Sequence, residues 1–459
     1  MHKYLKTLPK YFVKPLFSFI FLILFSCILL VTNSFAQQSI TGVYQNYTAF
    51  QLYNEHELIA GRNRLRTQFS HSFTSGEVYA EIDLIDSYAN NREFEVLPRE
   101  LYADWYTTHY DIRIGKQKII WGQATGAFVN DILTPVDLSD FLTQDLDDLR
   151  IGINAINIHR YFGSNYIQMV VAPALQPDRL PKPDSRWFPV QQPADFLPVS
   201  FRSSNVQPSL SDLQLAARFA WRPTTLLDAD FMLYHWAHPM PAYAISTQFP
   251  SFPELPEIIL RETYKTSPMA GLSLTWRASD RWILSAEGLY VNERLFTYLP
   301  VPVNRLEEAL ADPVVAFQVL QEFQFRDDGY ILSKPWLQQM IGVQTDVRGN
   351  TIGAQGYLEV IFNYEDRILP QRFFPYATGF VQRTFMRERL NALITGRYNF
   401  FGEDFWVQIQ TGYEIRDGFE LKLGTNFFGG PTVSPFYGHL TFEQFYENSF
   451  LFAQTSIYF

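Results

Sequence analysis

Apolar and polar residues alternate with a period of two over many short segments of the chain. Near the C-terminus, Phe419, Leu421 and Leu423 share one face of an extended segment, and Glu420 and Lys422 share the other. Only a β-strand separates residues in this way, since successive side chains point to opposite faces. The pattern predicts an all-β protein. It recurs in segments of about ten residues at 77–84, 100–105, 213–221, 390–398 and 407–415.

Connections between the predicted strands are of two kinds. Short turns are predicted at 74–76, 162–165, 222–224, 278–280, 348–350 and 416–418, and long connections near 122–150, 175–209, 237–265, 293–333 and 429–447. Bacterial outer-membrane barrels have short periplasmic turns, longer extracellular loops and strands that alternate between lipid and lumen. The chain is therefore predicted to be a transmembrane antiparallel up-and-down β-barrel with periplasmic termini.

About 18 strands are predicted, and 16 is the alternative if 378–400 forms one long strand. Both counts are even, as single-chain bacterial barrels require. A soluble antiparallel sandwich would also show alternation. A single sandwich of 423 residues would be unusually large, because such domains usually have about 100 residues. The wide, aromatic-rich apolar faces also favour a lipid-facing band.

The N-terminus has the layout of a secretory signal peptide. Residues 1–14 contain four lysines and no acidic residue, an apolar run occupies 16–31, and Ala36 precedes a polar stretch. A retained membrane anchor is less favoured because the apolar run is shorter than the roughly 20 residues that a spanning helix needs. Lipoprotein processing at Cys27 fits poorly because four more apolar residues follow it directly. We therefore predict a signal peptide at 1–36, cleaved near Ala36, and a barrel at 37–459.

Cleavage would change the composition of the chain. The single cysteine would be lost, which excludes disulfides and thiolate metal sites. The balance would become 33 basic against 47 acidic residues, a net charge of −14, which argues against nucleic-acid binding. The histidines show no metal-ligand spacing, and His71 between Ser70 and Ser72 lies on the predicted periplasmic side. No cofactor and no enzymatic activity are therefore predicted.

The most distinctive local sequence lies at 99–150. It contains the motifs GKQKIIWGQ at 115–123 and NDILTPVDL at 130–138. Together with the C-terminal motifs at 427–430, 436–438 and 458–459, these resemble an uncharacterised family of bacterial outer-membrane barrels. The resemblance covers about the first third and the last tenth of the chain, and departs from the family pattern at Lys116 and at 125–127.

That resemblance implies a porin-like barrel that handles hydrophobic compounds. Genes of the family often lie beside exporters of the resistance-nodulation-division type, so the resemblance also implies an inner-membrane exporter as a partner. The family has no settled activity. Fold and location are therefore better supported by the resemblance than function is.

Residues 122–150 are predicted either to lie on the extracellular side or to fold into the lumen as a constriction. They contain Asp131, Asp137, Asp140, Asp145, Asp147 and Asp148 against Arg150 alone. An acidic cluster inside a pore favours cations. Basic residues on the facing strands would lie opposite this cluster. They are Arg62, Arg64 and Arg66, which share a strand face, and Arg113 on a nearby strand. The alternative is that these groups pair with lumenal Glu77, Glu81, Glu100 and Asp104 and brace the wall. The predicted pore-lining residues are Arg62, Arg64, Arg66, Glu81, Glu100, Asp104, Arg113, Asp131 and Asp137.

Three functions remain open at this stage. The first is an outer-membrane channel for passive passage of small or hydrophobic and amphiphilic solutes, because a barrel of this size leaves an aqueous lumen. The second is a closed-lumen barrel that acts as a scaffold or receptor, and the third is a barrel enzyme. The predicted partners are outer-membrane lipids and, through the aromatic C-terminal residue Phe459, the barrel-assembly machinery.

Overall fold

The computed structural model describes residues 37–53, 56–89, 92–143, 148–188, 198–204, 212–248, 257–323, 326, 328–431, 438–439 and 441–459. The predicted signal peptide at 1–36 lies outside the described residues, as do Asp145 and Asp147.

Among the described residues, eighteen antiparallel strands form one sheet. Its first nine strands are β1 (Gln37–Gln51), β2 (Leu58–Phe73), β3 (Gly76–Ser87), β4 (Glu93–Tyr106), β5 (Tyr110–Gln117), β6 (Ile153–Phe162), β7 (Asn165–Ala172), β9 (Gln214–Thr224) and β10 (Leu227–Ala237). The other nine are β13 (Thr266–Arg277), β14 (Trp282–Thr297), β15 (Ile331–Val347), β16 (Asn350–Ile361), β17 (Phe373–Phe385), β18 (Leu390–Asn399), β19 (Asp404–Arg416), β20 (Phe419–Gly429) and β21 (Phe450–Tyr458).

The sheet is closed because β1 pairs with β2 on one side and with β21 on the other. The predicted antiparallel barrel of 18 strands is confirmed. The alternative of 16 strands is wrong, since 373–385 and 390–399 are two strands joined by a hairpin.

Most short connections and all five long ones lie at opposite ends of the barrel; the four-residue connection 400–403, between β18 and β19, lies with the long ones. Eight connections of two to four residues lie at one end of the barrel, which we call the short-turn end. The start of β1 and the end of β21 lie there as well. The turn predicted at 222–224 is displaced, because β9 continues to Thr224. The five long connections predicted from the sequence all lie at the other end, which we call the long-loop end. In the structure they span 118–152, 173–213, 238–265, 298–330 and 430–449.

Burial is inverted relative to a soluble protein. On the outer face, large apolar side chains are exposed, among them Leu233 (67%) and Ile341 (72%). On the inner face, polar side chains such as Asp230 and Gln338 are buried. Such an arrangement is stable only where the outer face contacts lipid, so it matches the apolar band of a transmembrane barrel. Among the described residues, no helix is long and apolar enough to cross a membrane.

A charge on the outer face is expected to prevent stable insertion. Arginine at the bilayer midplane of such barrels costs about 2–4 kcal/mol, so Ile341→Arg on β15 should lower the yield of folded barrel. Heat-modifiable migration on a gel after refolding into lipid would measure this. The matched control is Gln344→Arg, three residues along the same strand on the inner face, which should fold normally. Equal yields would contradict the assignment of the two faces.

Additional elements lie within the long connections, and the sequence patterns did not predict them. Strands β8 (Val199–Arg202), β11 (Ala242–Gln248) and β12 (Glu257–Thr263) form a small separate sheet. Helices α1 (Val303–Ala311) and α2 (Pro313–Glu322) pack on each other. The Asp312-Pro313 pair is a helix-start signal, since the Asp312 side chain accepts a hydrogen bond from the Val314 amide.

Candidate functional site

The segment 118–152, which joins β5 to β6, is the candidate functional element. We call it the connecting segment; its residues 144–147 are not described. Its first part contacts the inner face of strands far from β5. The Glu287 carboxylate on β14 accepts hydrogen bonds from the amides of Gln123 and Ala124. The Gln355 side chain on β16 accepts from the Thr125 amide at 3.1 Å.

These contacts reach nearly to the opposite wall of the barrel. Strand β16 is eight strands from β5 in a ring of eighteen. Gly126 approaches the next strand, β17, so closely that a Cβ atom on it would lie 2.3 Å from the Thr378 hydroxyl oxygen. Glycine is therefore required at position 126 for this close approach.

The connecting segment is also held to itself by buried polar contacts. Asp131 accepts a hydrogen bond from the Trp121 amide at 3.0 Å and forms an ion pair with Arg150. The Thr134 hydroxyl lies 2.8 Å from both the amide and the carbonyl of Ile119. These contacts give the segment a defined shape, so the backbone groups that meet Glu287 are presented together.

The last part of the connecting segment is bound to the strands next to β5. Arg64 and Arg66 on β2 contact the Asp148 carboxylate at 2.6 and 2.8 Å. Arg66 also forms a bidentate pair with Asp83 on β3, at 2.7 and 2.8 Å. Bidentate guanidinium–carboxylate pairs are the stronger kind, because two parallel bonds fix the geometry. This end of the segment is therefore fixed by a network of partly buried charges.

Several predicted site residues belong to this network. Glu81 lies 3.3 Å from Lys118 and 3.8 Å from Arg66, and Glu100 accepts from the Lys118 amide at 2.7 Å. Arg62 donates to the Thr143 carbonyl and lies 3.5 Å from Asp140.

The other predicted site residues have partners elsewhere. Arg113 and Asp104 form a pair of their own between β4 and β5, at 2.8 Å. Asp137 lies 3.4 Å from Arg179, in the connection after β7. Of the predicted residues, the structure brings together Arg62, Arg64, Arg66, Glu81 and Glu100, while Asp104, Arg113, Asp131 and Asp137 are held by separate contacts.

Four important contact residues were not among the predicted pore-lining residues. Asp83 shares the inner face of β3 with Glu81, so the period of two could have identified it. Arg99 is buried at an irregularity in β4 and donates to the carbonyls of Asp148 and Arg150. No local pattern signals it, and none signals Glu287 or Gln355 as contacts of a distant segment.

Charges of the two signs balance in this network and in the separate pair of Asp131 with Arg150. Together, six basic groups face six carboxylates through ion pairs: Arg62, Arg64, Arg66, Arg99, Lys118 and Arg150 with Glu81, Asp83, Glu100, Asp131, Asp140 and Asp148. Burial opposes ionisation of Asp148, but the charges of Arg64 and Arg66 outweigh it and hold the pKa of its carboxyl below the ordinary value. These pairs are the ones expected if the charged groups brace the wall.

A further group of contacts, which we call the clamp, joins the connecting segment to the long connection after β7. The Arg179 amide donates to the Val136 carbonyl at 2.9 Å, and the Leu138 amide donates to the Arg179 carbonyl at 2.7 Å. The Asp178 carboxylate accepts from the Val136 amide at 2.9 Å. Burial raises the pKa of the Asp178 carboxyl to about 7, although this hydrogen bond opposes the shift.

The clamp at Asp178 is expected to be more stable at pH 5 than at pH 8. The folded-state pKa of about 7 exceeds the ordinary value of about 3.9, so stability falls as the pH rises between these values. Tryptic cleavage after Arg179 should therefore speed up with pH in the wild type relative to Asp178→Asn. Comparing the two proteins at each pH cancels the pH dependence of trypsin itself. A constant ratio of the two rates would contradict the prediction.

An aromatic cluster lies at the long-loop end, where it joins three connections to the wall. Phe141 of the connecting segment has its ring centroid 4.8 Å from that of Phe445 and 5.6 Å from that of Trp187. The cluster is completed by Phe428 of β20 and Phe450 of β21. Phe141 has a φ of 49°, which is strained for a residue other than glycine. Its packing therefore holds the backbone in a conformation that it would otherwise leave.

Comparison with known proteins supports the fold. No family model and no curated protein matches the chain. Among solved structures, OccAB4 of Acinetobacter baumannii matches with a TM-score of 0.51 and 8% identity, over 93% of this chain and 98% of that chain. OccD3 (OpdP) of Pseudomonas aeruginosa also matches with 0.51 and 8%, over 92% and 91%. OccAB3 of Acinetobacter baumannii matches with 0.50 and 6%, over 93% and 99%.

These neighbours are outer-membrane porins with 18-stranded barrels. The chain therefore has the fold of an outer-membrane porin. At such low identity the likeness extends to the fold alone, and the resemblance at 115–123 and 130–138 to an uncharacterised family stays a prediction.

Proposed function

We propose that the chain is an outer-membrane channel through which small solutes pass passively, past a constriction formed by the connecting segment. One observation carries the proposal: the segment is bonded to the inner faces of β14 and β16 at one part and of β2 at another. A chain bound on both sides of a lumen narrows it.

The proposed setting is the outer membrane, where the exposed apolar outer face would contact lipid. Export would depend on the signal peptide at 1–36, and insertion on recognition of the last strand and Phe459 by the assembly machinery. An inner-membrane exporter as a partner remains a prediction from the family resemblance.

Single-channel conductance of the refolded chain in a planar bilayer tests the channel. Stable ohmic steps are expected from the wild type, and larger steps from a variant in which residues 124–148 are replaced by a short glycine–serine linker. Heat-modifiable migration must first establish that both proteins are folded. Silence of both folded proteins would overturn the proposal.

A closed-lumen scaffold or receptor is the second candidate. The aromatic cluster around Phe141 favours it, because three connections meet there at the long-loop end. The same recordings separate the two functions. A silent wild type with a conducting deletion variant would indicate a barrel that the connecting segment closes.

A further inference from the structure

We propose that the lumen of the barrel has a binding site for small organic cations at its short-turn end. The site, which we call the tyrosine site, consists of Tyr106 on β4, Asp111 on β5 and Tyr161 on β6, with Glu77 on β3 beside it. Its ligands would be cations of the quaternary ammonium class, which bind against the faces of aromatic rings. The inference goes beyond the proposed channel function and does not require that the lumen conducts.

Strand register brings these four side chains together. Tyr106 pairs with Asp111 across β4 and β5, and Asp111 pairs with the residue two before Tyr161 on β6. Glu77 pairs with Asp104, which lies two residues before Tyr106 on β4. Residues two apart on a strand share a face, and Asp104 is buried on the inner face. The side chains of the tyrosine site therefore all point into the lumen.

Tyr106 and Tyr161 leave much aromatic surface open to the lumen. The Tyr161 ring contacts those of His159 and Tyr166 at centroid distances of 6.2 and 6.0 Å. Even so, Tyr161 is 48% exposed, and Tyr106 is 46% exposed. Aromatic residues near the ends of a transmembrane barrel ordinarily form girdles that face the lipid interface. Because these two face inward, anchoring the barrel in lipid does not account for them.

Neighbouring tyrosines on the same inner face already hold cations of the protein itself. Arg113 lies over the Tyr102 ring, 3.8 Å from its centroid, and Arg218 lies over the Tyr166 ring at 5.6 Å. Within the described part of the chain, no basic side chain lies over either ring of the tyrosine site. This face therefore stabilises cations on its tyrosine rings, and the tyrosine site leaves that position open to a solute.

The carboxylates of the tyrosine site give it a negative charge. Neither Glu77 nor Asp111 forms an ion pair with any residue that the structure describes, whereas Asp104 beside them pairs with Arg113 at 2.8 Å. The Tyr161 hydroxyl donates a hydrogen bond to Asp111, which fixes the carboxylate without neutralising it. Three carboxylates thus face one guanidinium. A surface with this excess attracts cations in preference to anions.

Strand spacing suits a cation with the dimensions of a trimethylammonium group. Neighbouring strands lie about 4.8 Å apart, so β4 and β6, which flank β5, are about 10 Å apart. A cation between Tyr106 and Tyr161 would lie about 5 Å from each strand, within the roughly 6 Å over which a ring face attracts it. The Asp111 carboxylate on β5 would lie beneath it.

Binding of choline to the refolded chain is the first test, measured by saturation-transfer difference NMR in detergent at pH 8. Histidine is ordinarily neutral at this pH, so His159 adds no charge. Choline should bind about fivefold more tightly than 3,3-dimethyl-1-butanol, which has the same shape without the charge. Equal binding of the two would overturn the inference, because the rings alone would then account for it. Absence of choline binding would overturn it as well.

Substitutions in the tyrosine site are the second test. Tyr161→Leu and Asp111→Asn should each weaken choline binding about fivefold, since each removes one contact of the cation. Tyr161→Phe keeps the ring face and should bind choline nearly as the wild type does. The matched controls are Tyr413→Leu, on the outer face of β19, and Asp417→Asn, whose fully exposed side chain lies in the turn after β19. Neither control should change the binding.

Heat-modifiable migration must first establish that each variant is folded. Tyr106→Leu, for which the same loss is expected, replaces any site variant that does not fold. Unchanged binding in the site variants, or an equal loss in the controls, would overturn the inference. These measurements need no ion current, so a silent wild type in a planar bilayer would overturn the channel function alone.

Discussion

Asp148→Asn is expected to release one end of the connecting segment and to increase the single-channel conductance. The Asp148, Arg64 and Arg66 side chains are only 12–13% exposed. Removing one charge from a buried ion pair leaves its partners uncompensated, which typically costs about 3–5 kcal/mol. Arg66 keeps Asp83, so most of this cost should fall on Arg64. The attachment should fail while the strands of the barrel remain folded.

Asp140→Asn is the matched control for this prediction. Asp140 lies on the same segment, its side chain is 55% exposed, and its ion pair with Arg62, the only one it forms among the described residues, has a distance of 3.5 Å. Exposed pairs of this kind contribute about 0–1 kcal/mol, so conductance should stay at the wild-type value. Equal conductance of the two variants would mean that the charge of Asp148 does not hold the segment.

The same ion pairs predict how the attachment through Asp148 responds to pH. The pKa of Asp148 is lower in the folded chain than in an unfolded one. Its stabilising contribution is therefore fully present above the unfolded pKa of about 3.9 and is lost only as the pH falls through the folded value. The variant Asp178→Asn, which lacks the carboxyl whose contribution falls with rising pH, should consequently keep a constant conductance from pH 5 to pH 8. A rise in conductance within this range would show that another group controls the attachment.

Barrel architecture could be predicted because it depends on a local, repeated pattern. The alternation around Phe419 and the turns at 348–350 and 416–418 each need only a few adjacent residues to be recognised. The shared face of Arg62, Arg64 and Arg66 follows from the same period, and the structure places all three on the inner face. Alternation does not predict which groups on other strands each inward side chain contacts.

Contacts of the connecting segment could not be predicted because they join residues far apart in the sequence. The Ala124 amide meets Glu287, and the Thr125 amide meets Gln355. In each case the donor is a backbone amide. Every residue except proline has one, so the sequence does not indicate which amide will meet a given side chain. The aspartates of 122–150 left two interpretations open, a cation-favouring acidic cluster or paired charges that brace the wall. Those that the structure describes each lie beside an arginine, as the second interpretation expects.

Glu287→Ala is expected to detach the other end of the connecting segment. The carboxylate accepts hydrogen bonds from the amides of Gln123, Ala124 and Asn130. A buried donor that loses its acceptor costs about 1–3 kcal/mol, and water that enters the lumen would recover part of this. Conductance should rise and its fluctuations should increase. Glu287→Gln keeps one acceptor oxygen, so an intermediate conductance is expected.

Glu293→Gln on the same strand is the control for this variant. Glu293 pairs at 2.7 Å with Lys265, its side chain is nearly half exposed, and none of its described contacts is with the connecting segment. Its conductance should equal that of the wild type. A change as large as that of Glu287→Ala would point to a general effect of altering β14.

Combining Asp148→Asn with Glu287→Ala tests whether the connecting segment or the aromatic cluster is the constriction. The two anchors contact different strands and share no partner among the residues that the structure describes, so their effects should add. If the segment is the constriction, the double variant should approach the conductance of the variant lacking 124–148. If each anchor fails but the conductance stays at the wild-type value, the narrowest point must lie elsewhere. Phe141 and Trp187 at the long-loop end would then be the residues that limit passage.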